Sequence, residues 1–288
     1  MILKDKRFRA LVLRIALFLM ITVPLFALFF LPRETAVMVQ ADTQELGIVL
    51  AASRENQIAL PAGWNESAGM TPLEAGDMLV PAGGARLTLR LRRSGFLALM
   101  LEPGPRSSPG DPLGTLDGAA IAEPLVLIFN PDGIAAFDPI EMFGEVTLGT
   151  VVTDTSVSYL SSGDYVFWET GLLSEASDPV RTGSFAIGSL VEIQGRNGDP
   201  FEARLFVEPA GRRGEDDVGM FAMVDTGYGA PRLKVHRSRL DKALDIAPRW
   251  TDRALSSPLL LGFSSTLAAI LLVLQLVGFL RPDAENTL

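Results

Sequence analysis

The chain has 288 residues, a formal net charge of −9 and no cysteine. The acidic balance argues against a uniformly basic nucleic-acid surface, and the lack of cysteine excludes a disulfide framework, thiolate catalysis and cysteine-ligated zinc. The hydrophobic content of 48% is inflated by an apolar run near each end, and the sequence between the runs has ordinary globular composition.

The chain opens on a basic tail, residues 1–10, carrying Lys4, Lys6, Arg7 and Arg9. Residues 11–31 are apolar apart from Arg14. Crossing a hydrocarbon core takes roughly 20 helical residues, so this run is long enough to span a bilayer. The basic tail then predicts a cytoplasmic N-terminus. Arg14 lies one turn into the run, where its stem can reach back to the headgroups. Phe29-Phe30-Leu31-Pro32 offers no small-residue cleavage site, so the run reads as an uncleaved signal anchor. Pro24 predicts a kink in it.

Residues 33–236 read as one β-rich domain. Short runs of β character at 35–40 and 46–51 come first. Residues 86–92 (Arg-Leu-Thr-Leu-Arg-Leu-Arg) alternate strictly, which predicts a strand with one apolar and one basic face; with 95–102 they read as a hairpin. Residues 102–118, dense in Pro, Gly, Ser and Asp, read as a long irregular loop and a candidate boundary between two subdomains. Strands at 124–129 and 134–137 are expected to flank a turn at Asn130-Pro131-Asp132-Gly133. Further strands are expected at 145–152, 156–160 and 164–169, with Gly163-Asp164 as a turn. Residues 190–194 and 201–208 read as the clearest hairpin, with Asn197-Gly198 at its tip, and 219–225 with 232–236 as a last pair. Many short strands, frequent turns and few helical patterns predict a mainly β fold, a β-sandwich or jelly-roll-like extracytoplasmic domain flanked by two transmembrane α-helices.

An amphipathic juxtamembrane helix is expected over residues 237–257, with Leu240, Ala243, Leu244 and Ala247 on one face. Arg249, Trp250 and Arg253 have the chemistry of a membrane interface and could meet anionic headgroups. The second apolar run, residues 258–280, predicts a return crossing that leaves the tail, 281–288, in the cytoplasm. Within it Gly262, Ser265 and Ala269 are small residues that let helices approach closely, and Gln275 is a polar group seeking a partner in hydrocarbon. Arg237, Arg239, Lys242, Arg249 and Arg253 then fall on the outer side, against the charge rule, which long translocated domains obey weakly. Arginine far outnumbers lysine, and Ala and Gly are abundant, as in a GC-rich bacterial genome. The expected location is the bacterial inner membrane, with the main domain periplasmic.

Candidate chemistry is sparse. The single histidine, His236, sits among Lys234 and Arg237 with no Gly-x-Ser-x-Gly elbow. Glu215-Asp216-Asp217, and separately Asp111 and Asp117, are carboxylates that could meet a cation, but at no calcium-loop spacing. Gly227-Tyr228-Gly229 is not part of a strand–loop–helix phosphate motif. Trp64 and Trp168 are candidates for a ligand platform, with Tyr165 and Phe167 nearby. No cofactor or metal ligand set is assigned.

These features predict a non-enzymatic envelope protein, an accessory subunit whose β domain scaffolds or binds subunits of a membrane protein complex. Its expected partners are those subunits and the lipid bilayer, anionic lipids included; homo-oligomers are compatible, and nucleic acid is not expected. The alternative is a binding module for envelope glycan or lipid, a Trp64 or Trp168 exposed in a groove being the feature that would support it. A carboxylate-based hydrolase or a channel subunit ranks after these.

Overall fold

The computed structural model describes residues 33–92, 94–108, 110–149, 160–170, 177–209, 219–237, 242–256, 265 and 272. The first apolar run, Arg14, Gly262, Ala269, Gln275 and Glu215-Asp216-Asp217 lie outside the described residues, as does most of the predicted strand at 156–160. Ser265 is helical and exposed. Among the described residues no helix is long and apolar enough to cross a membrane.

The elements begin with β1 (Thr35–Thr43), β2 (Glu45–Leu50), β3 (Ile58–Ala59), β4 (Gly63–Asn65), β5 (Thr71–Leu73), β6 (Met78–Pro81) and β7 (Arg86–Leu91). Next come β8 (Leu97–Glu102), β9 (Gly114–Leu116), β10 (Ala119–Ile121), β11 (Leu125–Phe129), α1 (Pro131–Ala135), β12 (Ile140–Leu148) and β13 (Leu160–Thr170). Then follow β14 (Ser177–Ser184), β15 (Ser189–Gln194), β16 (Glu202–Glu208), β17 (Met220–Asp225), β18 (Arg232–Arg237), β19 (Leu244–Ile246) and α2 (Trp250–Ser256). The fold is mainly β, as the alternation predicts. Among the described residues, fifteen strands form one sheet in the order β14-β13-β1-β17-β16-β12-β2-β7-β8-β11-β4-β5, with β15 joining β12 to β18 and β19 joining β18. A smaller sheet has the order β10-β9-β6-β3. All pairings are antiparallel, as along β12 with β2 and β16.

Register explains the core. Leu99, Leu89, Leu46, Leu148, Val191 and Val235 stand opposite one another across six consecutive strands, and all are buried. Leu87, Ile48 and Val146 form a neighbouring buried row. The residues between them, Arg86, Thr88 and Arg90 on β7 among them, point to the other face. Each fully buried Leu or Ile contributes about 1.5–3 kcal/mol, so a one-residue slip of any strand would exchange a dry row for a charged one.

Residues Glu34–Ala247 form one compact unit. β8 pairs directly with β11, so the Pro/Gly-rich stretch at 102–118 does not divide the domain. It holds β9, which lies between β10 and β6.

Several predicted turns resolve differently. Asn130-Pro131-Asp132-Gly133 opens α1 instead of closing a hairpin, because Asn130 Oδ1 accepts from the Gly133 N–H at 2.8 Å and proline fits the first helical turn. Gly163-Asp164 lies inside β13. Glycine is placed there by crowding, since a Cβ would come within 3.0 Å of Gln40 O and Phe185 Cδ2. Asn197-Gly198 is a true tight turn, with Gly195 N–H donating to Asp199 O at 2.7 Å, yet β15 and β16 do not pair as a hairpin. Both run antiparallel to β12 along the same edge, β16 against Ile140–Glu145 and β15 against Thr147 and Leu148. The turn is therefore an excursion from one strand line. β17 and β18 likewise part, β17 to β1 and β16, β18 to β15 and β19.

The helix expected over 237–257 is also corrected. Leu244–Ile246 is a strand, with Leu233 opposite Ile246, because the edge of β18 supplies backbone partners that a short helix ahead of Pro248 would lack at its ends. Helix begins at Trp250.

A close approach marks the centre of the sheet. A Cβ at Gly144 would lie 2.2 Å from Val49 O and 2.9 Å from Ile48 Cγ1. Gly144→Val is expected to destabilise the domain by more than about 2 kcal/mol. Gly47→Ala, whose Cβ meets nothing nearer than Thr88 Oγ1 at 3.9 Å, should be neutral or stabilising by up to about 1 kcal/mol. Thermal unfolding of both variants beside the parent checks this contrast.

Candidate functional site

A groove of about 680 Å³ is bounded by β4, β5, the segment leading from β3 to β4, and the stretch from Asn130 to Asp138. Its position follows from packing beneath it. Phe129, at the end of β11, is fully buried and meets the buried Phe137 edge-on, with centroids 4.8 Å apart. Gly63 on β4 passes so close that a Cβ would lie 2.6 Å from the Phe129 ring. The absent side chain lets β4 pair with β11, Trp64 opposite Ile128. Trp64 in turn stands across from Pro72 on β5, and both line the groove.

The opposite wall is polar. The Asn130 cap starts one helical turn that carries the exposed Asp132, and the Phe137 anchor then places the exposed Asp138. Among the described residues neither carboxylate has an ion-pair or hydrogen-bond partner, and the half-buried Trp64 leaves its indole N–H unbonded. The floor is held by the Gly76 N–H donating to Leu60 O at 2.9 Å and the Leu60 N–H donating to Asp77 O at 2.9 Å. The site thus combines one flat apolar wall with one wall of unengaged acceptors.

Trp168 is not part of it. It lies on β13, half-buried between Ala36 and Pro179, and eight strands separate β13 from β4 in the sheet order. Tyr165 and Phe167 are buried and pack edge-on with centroids 5.8 Å apart, so they serve the core. The expected platform therefore reduces to Trp64. Asp132 and Asp138 are missed by sequence reasoning; Asn130-Pro131 ahead of an apolar pair is a helix-start signal that could have placed Asp132.

A smaller concavity, about 310 Å³, lies on the wet face of the sheet over Gly47, whose cross-strand neighbours are Thr88 and Thr147. Its carboxylates are already engaged. Glu45 takes a bidentate contact from Arg90 at 2.7 and 2.9 Å, which raises the Arg90 guanidinium above its ordinary pKa, mainly through that hydrogen bond. Glu145 meets Arg106 at 2.7 Å, and Glu192 Oε2 lies 3.8 Å from both Lys234 Nζ and His236 Nε2. His236 lies beside this cluster, its Nε2 buried and, among the described residues, without a hydrogen-bond partner.

Other candidates resolve into local structure. Asp111 Oδ2 accepts from the Ser108 N–H at 3.0 Å, closing a turn, and Asp117 occupies a turn at positive φ. Among the described residues no group of three or more His, Asp or Glu is placed to hold a metal ion. Arg249 precedes α2, Trp250 opens it and Arg253 lies in its last turn; Asp252 Oδ2 accepts from the Arg249 N–H at 2.8 Å, half of a capping box. Trp250 is 55% exposed.

No family model matches this sequence, and comparison with curated proteins and with solved structures finds no match.

Removing the cap tests how the polar wall is positioned. Asn130→Ala is expected to cost about 1 kcal/mol in thermal unfolding and to broaden the amide resonances of Asp132 and Gly133, with those of β12 unchanged.

Proposed function

We propose that this chain is a non-enzymatic protein of the bacterial envelope. Two spans, residues 11–31 and 258–280, hold it in the inner membrane with both termini cytoplasmic. Its β domain, sandwich- or jelly-roll-like, stands in the periplasm and binds or scaffolds subunits of a membrane complex. The observation that carries this reading is that the β domain starts and ends at one rim.

Thr35, the first residue of β1, exchanges both backbone hydrogen bonds with Gly229, at 2.9 and 2.8 Å. The Thr226 hydroxyl oxygen fixes that loop by accepting from the Val37 N–H at 2.9 Å. β18 begins three residues beyond Gly229, and its Leu233 faces Ile246. The next residue, Ala247, accepts from Arg181 Nη1 at 2.8 Å. Arg181 opposes Phe167, two residues from the Glu169 that faces Thr35. A domain tethered twice to one bilayer through short connections requires this closeness. Tyr228, 49% exposed, lies at the same rim, and exposed aromatics suit a membrane interface. The small residues of the second run, with Gln275, supply a surface for a partner helix.

A second reading, a binding module for envelope glycan or lipid, is favoured by Trp64, which is half-buried and lines a groove.

The test is isolation from the native membrane in mild detergent, with mass spectrometry of what co-purifies. A stoichiometric membrane partner, lost in Gln275→Leu or Ala269→Leu, is the expected result. Recovery of the chain alone would overturn the scaffold reading. Protease added to the periplasmic face of spheroplasts should digest the β domain and spare tags at both termini.

A further inference from the structure

We propose that the Trp64 groove is a subsite for neutral or amino sugars, an inference that rests on the ligand-binding reading of the domain. A pyranose carries two kinds of surface in one rigid unit: an apolar C–H face and a rim of hydroxyl groups. The groove offers a counterpart to each. The Trp64 indole, beside the exposed Pro72 across the β4–β5 pair, is an apolar wall for the C–H face. Asp132, Asp138 and the Asn130 side chain stand on the other wall. Each carboxylate can accept from two neighbouring hydroxyls, and the indole N–H remains to donate.

The site is built before any ligand arrives. The Phe129–Phe137 contact, the Asn130 cap and the close passage of Gly63 fix the two walls, with Trp64 on β4, Asp132 on α1 and Asp138 on the segment that follows it. Binding therefore requires little new ordering, which favours affinity for a small, hydrated ligand. The volume also falls within the range of small-molecule sites, roughly 300–1,000 Å³.

The same residues choose among ligands. Two unpaired carboxylates on one wall of a protein of net charge −9 disfavour uronates and phosphorylated glycans. An acyl chain would strand three polar side chains against hydrocarbon. A neutral sugar satisfies the acceptors, and an amino sugar adds a charge-assisted contact.

The experiment uses the full chain in detergent micelles with Trp168→Phe and Trp250→Phe, which leaves Trp64 as the only tryptophan. Its emission is titrated with cellotriose, chitosan trimer and trigalacturonate, and calorimetry on the parent gives affinities. Saturable shifts with the first two and none with trigalacturonate are expected. Trp64→Ala should weaken binding at least about tenfold, Trp64→Phe less, and Asp132→Asn with Asp138→Asn should cost the chitosan trimer more than cellotriose. Thermal melts identify variants that lose the fold, and Asp132→Asn, at an exposed position, keeps the test open if Trp64→Ala unfolds. The proposal is overturned if none of these saccharides binds at millimolar concentration, if trigalacturonate binds as well as cellotriose, or if affinity survives Trp64→Ala. Tighter binding of a lysine-rich peptide that displaces the sugars would also overturn it. Failure here leaves the membrane-partner result untouched, so the two readings fall separately.

Discussion

The constraint on which this domain depends is that its large sheet must keep one face dry with almost no helix to cover it. α1 has five residues, too few to shield even two strands. The dry rows from β8 across to β18 therefore join one hydrophobic cluster with residues from β1, β13 and β17. Strand after strand repeats buried and half-exposed residues in strict alternation, nine residues long in β12. Such a core fixes register everywhere at once. It also concentrates charge on the opposite face, where Arg54 and Arg204 stack on Phe143 and Arg204 pairs with Glu141 at 2.6 Å. That face consumes its own charges.

The two concavities differ for this reason. In the trough over Gly47 the carboxylates come from neighbouring strands, where register brings Arg90 opposite Glu45 and Lys234 opposite Glu192. Opposite charges in directly facing positions neutralise each other. The groove beside Trp64 is built at the far end of the sheet from a short strand, a hairpin and a helical turn. No ladder faces Asp132 or Asp138 with a base. Their carboxylates remain open because the sheet ends there.

Periodicity makes most of the fold legible in the sequence. Arg86–Leu91 and Leu97–Glu102 pair as alternation and the intervening turn imply. What is not legible is partner choice. Asn197-Gly198 makes a tight turn in either outcome, and whether the flanking strands face each other depends on β12 offering both of them one edge. Gly163 carries the same letter as a turn glycine, yet it is required by the distance to Gln40 and Phe185, residues remote in sequence. Leu244 and Ile246 have helix-compatible spacing, but the β18 edge decides. The site shows the same division. An isolated Trp in a β region is visible as a candidate; that Asp132 and Asp138 face it depends on the burial of Phe137 against Phe129, which no local pattern reveals.

The two ends of the domain are held differently. The first strand, β1, lies between β13 and β17, so it cannot be peeled away without breaking two ladders. The exit is held differently, by a three-residue edge strand and one arginine contact to Ala247. Local opening free energies follow how many partners a segment has, so β19 is expected to open long before β1.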